Sequence, residues 1–293
     1  MNKQKDTMDM KKVFTLAALS ALMSLAFSFM SAPFVRVLAI TKSRFFWLTG
    51  LIFLTTLLFL KMYLVLVYVG ALWMTLGLYS ELEKRGVDWK KSSVLSLFSG
   101  LIFGVTSFLL ITRRSLEHDL VKQAAEPLMM SLKQILPDKT LQAADVIVYM
   151  PGLLVSALVS ALAVALIFES QIFQIFKLKR EKVASGLRWL EFRVPDLFIW
   201  ITLFSFLFSF IDLSMPLLQI GAINIAVVSV VVFFFQGITV FEYATRIYRM
   251  GRITKMLLYF LLVAWALPAV VVLGFADYWL DIRRFMRKRI KVN

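Results

Sequence analysis

The chain contains no cysteine and a single histidine among its 293 residues. The absence of cysteine excludes disulfide bonds, thiolate nucleophiles, cysteine-ligated zinc and iron–sulfur clusters. The histidine, His118, stands between Glu117 and Asp119, where a solvated helix face is the ordinary interpretation. One ligand cannot build a metal site alone. The sequence therefore predicts neither a bound metal nor a cofactor.

Catalytic sequence signatures are missing as well. The chain has no glycine-rich loop followed by Lys-Ser/Thr, no Gly-x-Ser-x-Gly elbow and no His-Glu-x-x-His pair. An enzyme of lipid chemistry would need a cluster of polar residues near the lipid headgroups, and the sequence offers no clear one. We therefore expect that the chain is not an enzyme.

Charge is scarce along most of the chain, which leaves eight apolar blocks with Asp145 as their one internal charge. A helix needs about 20 apolar residues to cross the hydrocarbon of a bilayer, and a charge at its centre costs several kcal/mol. The composition agrees, with 60% hydrophobic residues and a mean hydropathy of +0.80. The blocks predict an all-α transmembrane bundle of about eight spans in one integral membrane domain over 1–293, at 13–32, 45–60, 62–80, 92–112, 143–168, 197–211, 213–235 and 256–276.

Three segments outside the blocks refine this picture. Only Lys61 interrupts the apolar stretch 45–80, so a tight hairpin or a broken helix is expected there. Segment 113–141 carries apolar residues at helical spacing and predicts an amphipathic surface helix or helix pair. Segment 281–293 is a basic tail that follows the last block.

The chain is strongly basic, with a formal net charge of +15. Its basic residues stand at the ends of the blocks, where they can reach anionic lipid headgroups. We therefore expect the lipid bilayer, and not nucleic acid, to be the partner of this charge. With eight spans and the N-terminus inside, 16 basic residues fall on the cytoplasmic side and 17 on the other. The positive-inside rule consequently gives no orientation.

Polar residues inside the late blocks are the candidate ligand-binding residues. Four of them recur at i, i+3, i+7 and i+10, which places them on one stripe of a helix. Polar groups in hydrocarbon must face protein or a water-filled cavity. They either hydrogen-bond to neighbouring helices or line a polar pocket, and both interpretations stay open. The stripe is Thr202, Ser205, Ser209 and Asp212; the following helix adds Asn224, Gln236 and Glu242.

The C-terminal part contains the motif Phe233-Phe-Phe-Gln236-Gly237-Ile-Thr-Val and, after an apolar span, Gly274-x-x-Asp277-x-x-x-Asp281-x-Arg283. This motif and the span layout resemble the YybS-like family of predicted bacterial membrane proteins, whose function is unknown. The resemblance implies a multi-pass protein of the bacterial inner (cytoplasmic) membrane and implies no reaction.

Asp277 and Asp281 also have an interpretation from spacing alone. They are four residues apart, on one face of a helix that leaves the bilayer, and basic residues from Arg283 onward follow them. They form either an interfacial ion network or a docking site for a partner or anionic lipid.

The layout is more distantly similar to the substrate-binding components of energy-coupling-factor vitamin transporters. Those components use an Ala-x-x-x-Ala face on the first helix to meet a coupling subunit, and Ala17 and Ala21 match that spacing. This similarity implies a membrane protein partner; a homo-oligomer is the other expectation.

Two functions remain open from the sequence. The first is a substrate-binding or transport-related membrane subunit without its own ATPase, which the intramembrane polar stripe favours. The alternative is a non-transporting scaffold for cell-envelope or division proteins, which the lack of a convergent charged site favours. An enclosed polar cavity between helices would support transport, whereas tight interior packing would support the scaffold.

Overall fold

The structure is a computed structural model, and the residues it describes are all helical where they are regular. This confirms the predicted all-α class. By its internal contacts the chain divides into two compact units, Met1–Gly186 and Leu187–Asn293. The described residues are 10–26, 28–114, 125–126, 129–130, 147–178, 192–211, 215–251, 254, 257–258, 262 and 267–292.

The first unit is built from apolar helices whose Leu, Val, Ala and Phe side chains form its core. Six helices are described in this unit. They are α1 (Met10–Ala26), α2 (Ser28–Thr41), α3 (Ser43–Phe59), α4 (Tyr63–Lys84), α5 (Trp89–Arg114) and α6 (Met150–Ile175).

The beginning of the chain differs from the single helix expected over 13–32, because two helices, α1 and α2, occupy the stretch. They run antiparallel, since the rings of Phe14, early in α1, and Phe45, after α2, lie 5.1 Å apart. The apolar stretch continues to residue 41 with Arg36 as its only charge. A continuous helix over 13–41 would measure roughly 44 Å at about 1.5 Å per residue, well beyond the bilayer core. Hydropathy alone does not locate the break.

Helices α3 and α4 form the hairpin that was one of the two arrangements expected at Lys61. Lys61 adopts a left-handed conformation with φ of 56°. Its N–H donates to the carbonyl of Leu58 (3.1 Å), and the N–H of Met62 donates to that of Leu57 (3.0 Å). These two bonds are the Schellman arrangement that satisfies the last carbonyls of a helix.

The ends of α4, α6 and the long helix of the second unit repeat this arrangement. A glycine fills the left-handed position after α4, but a basic residue fills it in the other two cases. A cation at that place faces the negative end of the helix dipole, which offsets part of the conformational strain. The residues are Gly86, Lys177 and Arg249, with φ of 76°, 51° and 47°.

Helices α4, α5 and α6 pack closely because glycines lie at their contacts. A Cβ placed on Gly100 of α5 would lie 2.0 Å from Thr75 Oγ1 in α4 and 3.0 Å from a methyl of Leu158 in α6. One placed on Gly104 would lie 2.6 Å from a methyl of Leu154. The Gly-x-x-x-Gly spacing in α5 therefore lets two neighbouring helices approach it on one face.

The second unit is described by four helices. They are α7 (Asp196–Phe210), α8 (Pro216–Ile247), α9 (Leu267–Leu280) and α10 (Ile282–Val292). Pro216 stands at the first position of α8, where its missing N–H leaves no bond unmade. Helices α7 and α9 pack on α8 around Ile199 and Phe233. Asp281, with φ of 43°, separates α9 from α10.

Four of the described helices are long and apolar enough to cross a membrane, namely α4, α5, α6 and α8. Four more, α2, α3, α7 and α9, are apolar but shorter. The count of about eight spans stays a prediction, as does the single integral membrane domain. The predicted surface segment 113–141 lies largely outside the described residues.

Candidate functional site

A charged cluster in the first unit is the leading candidate site. Arg36, in the third turn of α2, has no exposed surface. Glu83 in α4 and Glu169 in α6 are 4% and 3% exposed. The cluster therefore joins three helices inside an apolar bundle.

Arg36 contacts both carboxylates directly. Its Nη2 donates to Glu83 Oε2 at 2.8 Å, and its Nε donates to Glu169 Oε2 at 2.5 Å. The guanidinium carbon also lies 4.8 Å from the ring centre of Tyr79, one turn before Glu83. Arg36 is thus held by two charge-assisted hydrogen bonds and a cation–π contact.

This arrangement is expensive to bury. Removing ions from water costs several kcal/mol per ion, and mutual attraction repays that cost only when geometry is good. Hydrophobic residues of similar volume often stabilise a bundle equally well or better. A buried ionic cluster between helices of a membrane protein is therefore weak evidence for stability and is a functional-site hypothesis.

The charges of the cluster do not cancel. One guanidinium carries one positive charge, and two ionised carboxylates carry two negative charges. Arg36, Glu83 and Glu169 therefore sum to one negative charge, or to zero when one carboxylate holds a proton. In the described part of the chain, Arg36 Nη1 is buried and has no hydrogen-bond partner. One donor of Arg36 is therefore uncommitted within the structure.

A second charged pair lies in the other unit. Asp277 in α9 is fully buried, and its Oδ2 accepts from Arg283 Nε (3.1 Å) and Nη2 (2.8 Å). Arg283 Nη1 donates to the carbonyl of Phe192 at 2.9 Å. Asp281 has a different environment: it lies 3.8 Å from Arg193, and the two side chains are 40% and 44% exposed. The two aspartates expected on one helix face are separated by burial and by the break at Asp281.

The two halves of the C-terminal motif meet at the crossing of α8 and α9. Gln236 in α8 is completely buried; its Oε1 accepts from the N–H of Val194 (3.0 Å), and its Nε2 donates to the carbonyl of Gly274 (2.9 Å). A Cβ placed on Gly237 would lie 2.0 Å from the carbonyl oxygen of Val270. The motif therefore specifies helix packing within this unit.

The described part of the polar stripe is hydrogen-bonded inside the helical unit. Thr202 is buried, and its hydroxyl oxygen lies within hydrogen-bond distance of Ser229 Oγ in α8 (3.0 Å) and of Phe198 O (2.8 Å), so its one proton can go to either acceptor. Ser205 and Ser209 donate to backbone carbonyls one turn earlier in α7. These are the hydrogen bonds expected when polar side chains satisfy one another between helices or within a helix. Asp212, the fourth residue of the stripe, lies outside the described residues.

The other candidates of the second unit are placed as follows. Asn224 donates to the carbonyl of Ile220 in its own helix at 2.9 Å. Glu242 is 9% exposed and accepts from Arg246 at 3.0 Å. The ligand-binding role of these residues stays a prediction.

The two alanines of the first helix differ in exposure. Ala17 is 4% exposed and packs in the core of its own unit, whereas Ala21 is half-buried. A coupling partner on this face would therefore reach Ala21 more readily than Ala17. Their partner role also stays a prediction.

The geometry now bears on the family comparison. A family of predicted membrane proteins, DUF2232, matches residues 13–278. The chain belongs to this family. The matched range includes the Arg36 cluster in the first unit and Asp277 in the second, and it ends before Arg283. No curated protein and no solved structure matches the chain.

Three functional candidates of this family member escaped the sequence interpretation: Arg36, Glu83 and Glu169. Each stands just outside a predicted apolar block and therefore falls in a connector. A signal was present, because Arg36 is the only charge in 13–41 and Glu169 is the only one in 146–176. Lone charges of opposite sign inside long apolar stretches indicate intramembrane partners.

Metal binding is not indicated at these sites. Among the described residues, no three His, Cys, Asp or Glu side chains converge as metal ligands. At the Arg36 cluster the guanidinium already occupies one oxygen of each carboxylate.

Proposed function

We propose that this membrane protein is a transport-related subunit without its own ATPase, and that the cluster of Arg36, Glu83 and Glu169 binds and releases a proton. The observation that carries the proposal is the complete burial of Arg36 between two carboxylates from different helices. We place the chain, as a multi-pass protein of about eight spans, in the bacterial inner membrane. The resemblance to the YybS-like family supports only the placement in this membrane, and the more distant similarity to vitamin-transporter components is what favours transport.

The charge on the cluster gives the proposed mechanism. When Glu83 and Glu169 are both ionised, each can hold Arg36 and draw α4 and α6 toward α2. Protonation of one carboxylate removes its charge-assisted hydrogen bond, so Arg36 stays paired with the other glutamate alone. Contacts among the three helices consequently depend on protonation. That dependence is the property which a proton-coupled membrane protein requires.

The proposal is tested by reconstituting the purified protein in liposomes on a sensor electrode and applying steps of pH. The wild type is expected to give a transient current from charge displacement. Glu169→Gln removes one proton site and should reduce the displaced charge at least tenfold. Asp88→Asn is the matched control, because Asp88 is an exposed carboxylate of the same unit. It should leave the current unchanged.

A folding control keeps the test decisive. Arg36→Met alone leaves two carboxylates buried without the guanidinium, which costs about 3–5 kcal/mol. The combined variant Arg36→Met/Glu83→Gln/Glu169→Gln leaves no buried charge in the cluster, so its unfolding temperature should lie within a few degrees of that of the wild type. It should nevertheless give no current. A wild-type signal equal to that of protein-free liposomes, or an undiminished signal from the combined variant, would refute the proposal.

The scaffold remains the second candidate, and the tight packing of the second unit favours it. Gln236 is hydrogen-bonded through both its side-chain oxygen and its side-chain nitrogen, and Gly237 approaches the backbone of α9. A scaffold needs a rigid body and no titrating site. Under this function, the combined variant would retain the cellular role of the protein, tested by complementation of a deletion strain. Under transport it would lose that role.

A further inference from the structure

One end of the first unit collects basic side chains from several helices. The end of α2 adjoins the end of α4, because Lys84 Nζ donates to the carbonyl of Ala39 at 2.8 Å. It adjoins the start of α1 through the Phe14–Phe45 contact, and α3 and α5 both begin there. The basic residues at this end are Lys11, Lys12, Lys42, Arg44, Lys84, Arg85, Lys90 and Lys91.

A cavity of about 410 Å³ opens at this end, between the start of α1 and the junction of α2 with α3. Lys42 and Arg44 lie on its wall together with the hydroxyls of Thr41 and Ser43. The remaining wall is apolar and includes Val13 and Phe45. The volume lies within the range of about 300–1,000 Å³ that is usual for small-molecule sites.

The two cations of this cavity are uncommitted. Lys42 and Arg44 are exposed, and neither forms an ion pair or a side-chain hydrogen bond with any residue that the structure describes. Lys84 nearby behaves differently, because the carbonyl of Ala39 engages it. The hydroxyls beside them are already engaged, since Thr41 donates to the carbonyl of Val37 and Ser43 donates to Glu81. The two cations are therefore the groups that complement a phosphate, and the apolar wall next to them complements an acyl chain.

We propose that this cavity binds one anionic phospholipid of the surrounding leaflet, with its phosphate between Lys42 and Arg44 and its glycerol and upper acyl chain against Val13 and Phe45. A lipid is favoured over a soluble anion because the chain is a membrane protein and most of the wall is apolar. The excess of basic residues at the same end raises the local concentration of anionic headgroups. This site is independent of the proposed proton site at Arg36.

The test uses the purified full chain in detergent and counts bound lipids by native mass spectrometry. The probes are phosphatidylglycerol, phosphatidylcholine and inorganic phosphate. The wild type is expected to retain one phosphatidylglycerol per chain and to gain thermal stability from it, as a ligand bound only to the folded state must provide. Phosphatidylcholine and inorganic phosphate should give neither effect.

Variants locate the site. Lys42→Gln/Arg44→Gln should weaken phosphatidylglycerol binding at least tenfold, and Arg44→Gln alone should act in the same direction if the double variant accumulates poorly. The matched control is Lys90→Gln/Lys91→Gln, a neighbouring exposed basic pair that does not line the cavity. It should bind as the wild type does. Equal binding by both double variants, equal retention of phosphatidylcholine, or equal stabilisation by inorganic phosphate would overturn the proposal.

Discussion

Gly237 and Gly274 bring α8 and α9 into direct backbone contact. A Cβ placed on Gly274 would lie 2.0 Å from the carbonyl oxygen of Phe233, and the Gly237 amide nitrogen would be 2.7 Å away. Real Cβ atoms do not approach backbone so closely, so the two helices can cross in this way only because both residues lack a side chain. Without a hydrophobic driving force between helices in lipid, such close packing holds them together.

We expect Gly274→Ala to destabilise the second unit, because the new methyl group would force the two backbones apart. Overpacking of this kind typically costs about 1–3 kcal/mol. We expect a cost near the upper end of that range, because the atoms nearest to the new methyl group belong to the backbone and cannot rotate away. Gly221→Ala is the matched control, since Gly221 in α8 has no atom near the added methyl position. It should stabilise the helix by about 0.5–1 kcal/mol. Thermal unfolding in detergent measures both changes, and equal effects would contradict the packing argument.

The two aspartates of the C-terminal motif should respond differently to neutralisation. Asp277→Asn removes the charged partner of the buried Arg283 and should cost about 3–5 kcal/mol. Asp281→Asn affects only an exposed pair at 3.8 Å and should change stability by less than about 1 kcal/mol. Chemical or thermal unfolding of the two single variants provides the comparison. A similar loss of stability in the two variants would show that the difference in burial between Asp277 and Asp281 does not affect what each contributes.

The orientation of the first unit is open to a direct test, because the native chain has no cysteine. The structure gathers eight basic residues at the α2–α3 and α4–α5 end. The described basic side chains at the opposite end are Lys61 and Arg113. The positive-inside rule then predicts that the basic end faces the cytoplasm.

Single cysteines measure this orientation. In intact cells, an impermeant thiol reagent should label a cysteine that replaces Lys61 and should fail to label one that replaces Lys90. Labelling of both positions after permeabilisation is the control for reactivity. The reverse pattern in intact cells would show that the unit is inverted.

The helix break in the first apolar block decides which basic residues share a side of the membrane. If 13–32 were a single span, successive connectors would lie on alternate sides of the membrane, and the basic residues would divide almost evenly between the two sides. Lys61 lies on the side opposite Lys90 and Lys91 in both arrangements. With α1 and α2 as an antiparallel pair, however, Lys11 and Lys12 lie on the same side as Lys90 and Lys91, and not on the opposite side. One unrecognised break therefore changes the side of every connector that follows it in the unit.

The polar stripe shows where reasoning from spacing stops. Periodicity correctly indicated that Thr202 and Ser205 share a protected helix face, because both are buried in α7. It did not indicate what they face. A hydroxyl can bond to its own helix, to a neighbouring helix or to a ligand, and only tertiary structure shows that Thr202 contacts Ser229.

The sequence by itself determined that this is an all-helical membrane protein, because apolar length and the cost of buried charge leave a chain in lipid few other choices. It also determined the break at Lys61, where a single charge interrupts too long a run. Tertiary structure decided that Arg36 meets Glu83 and Glu169, which are 47 and 133 residues away. Hydropathy is a local property, whereas the pairing of lone charges depends on which helices pack together, and only the folded chain fixes that choice.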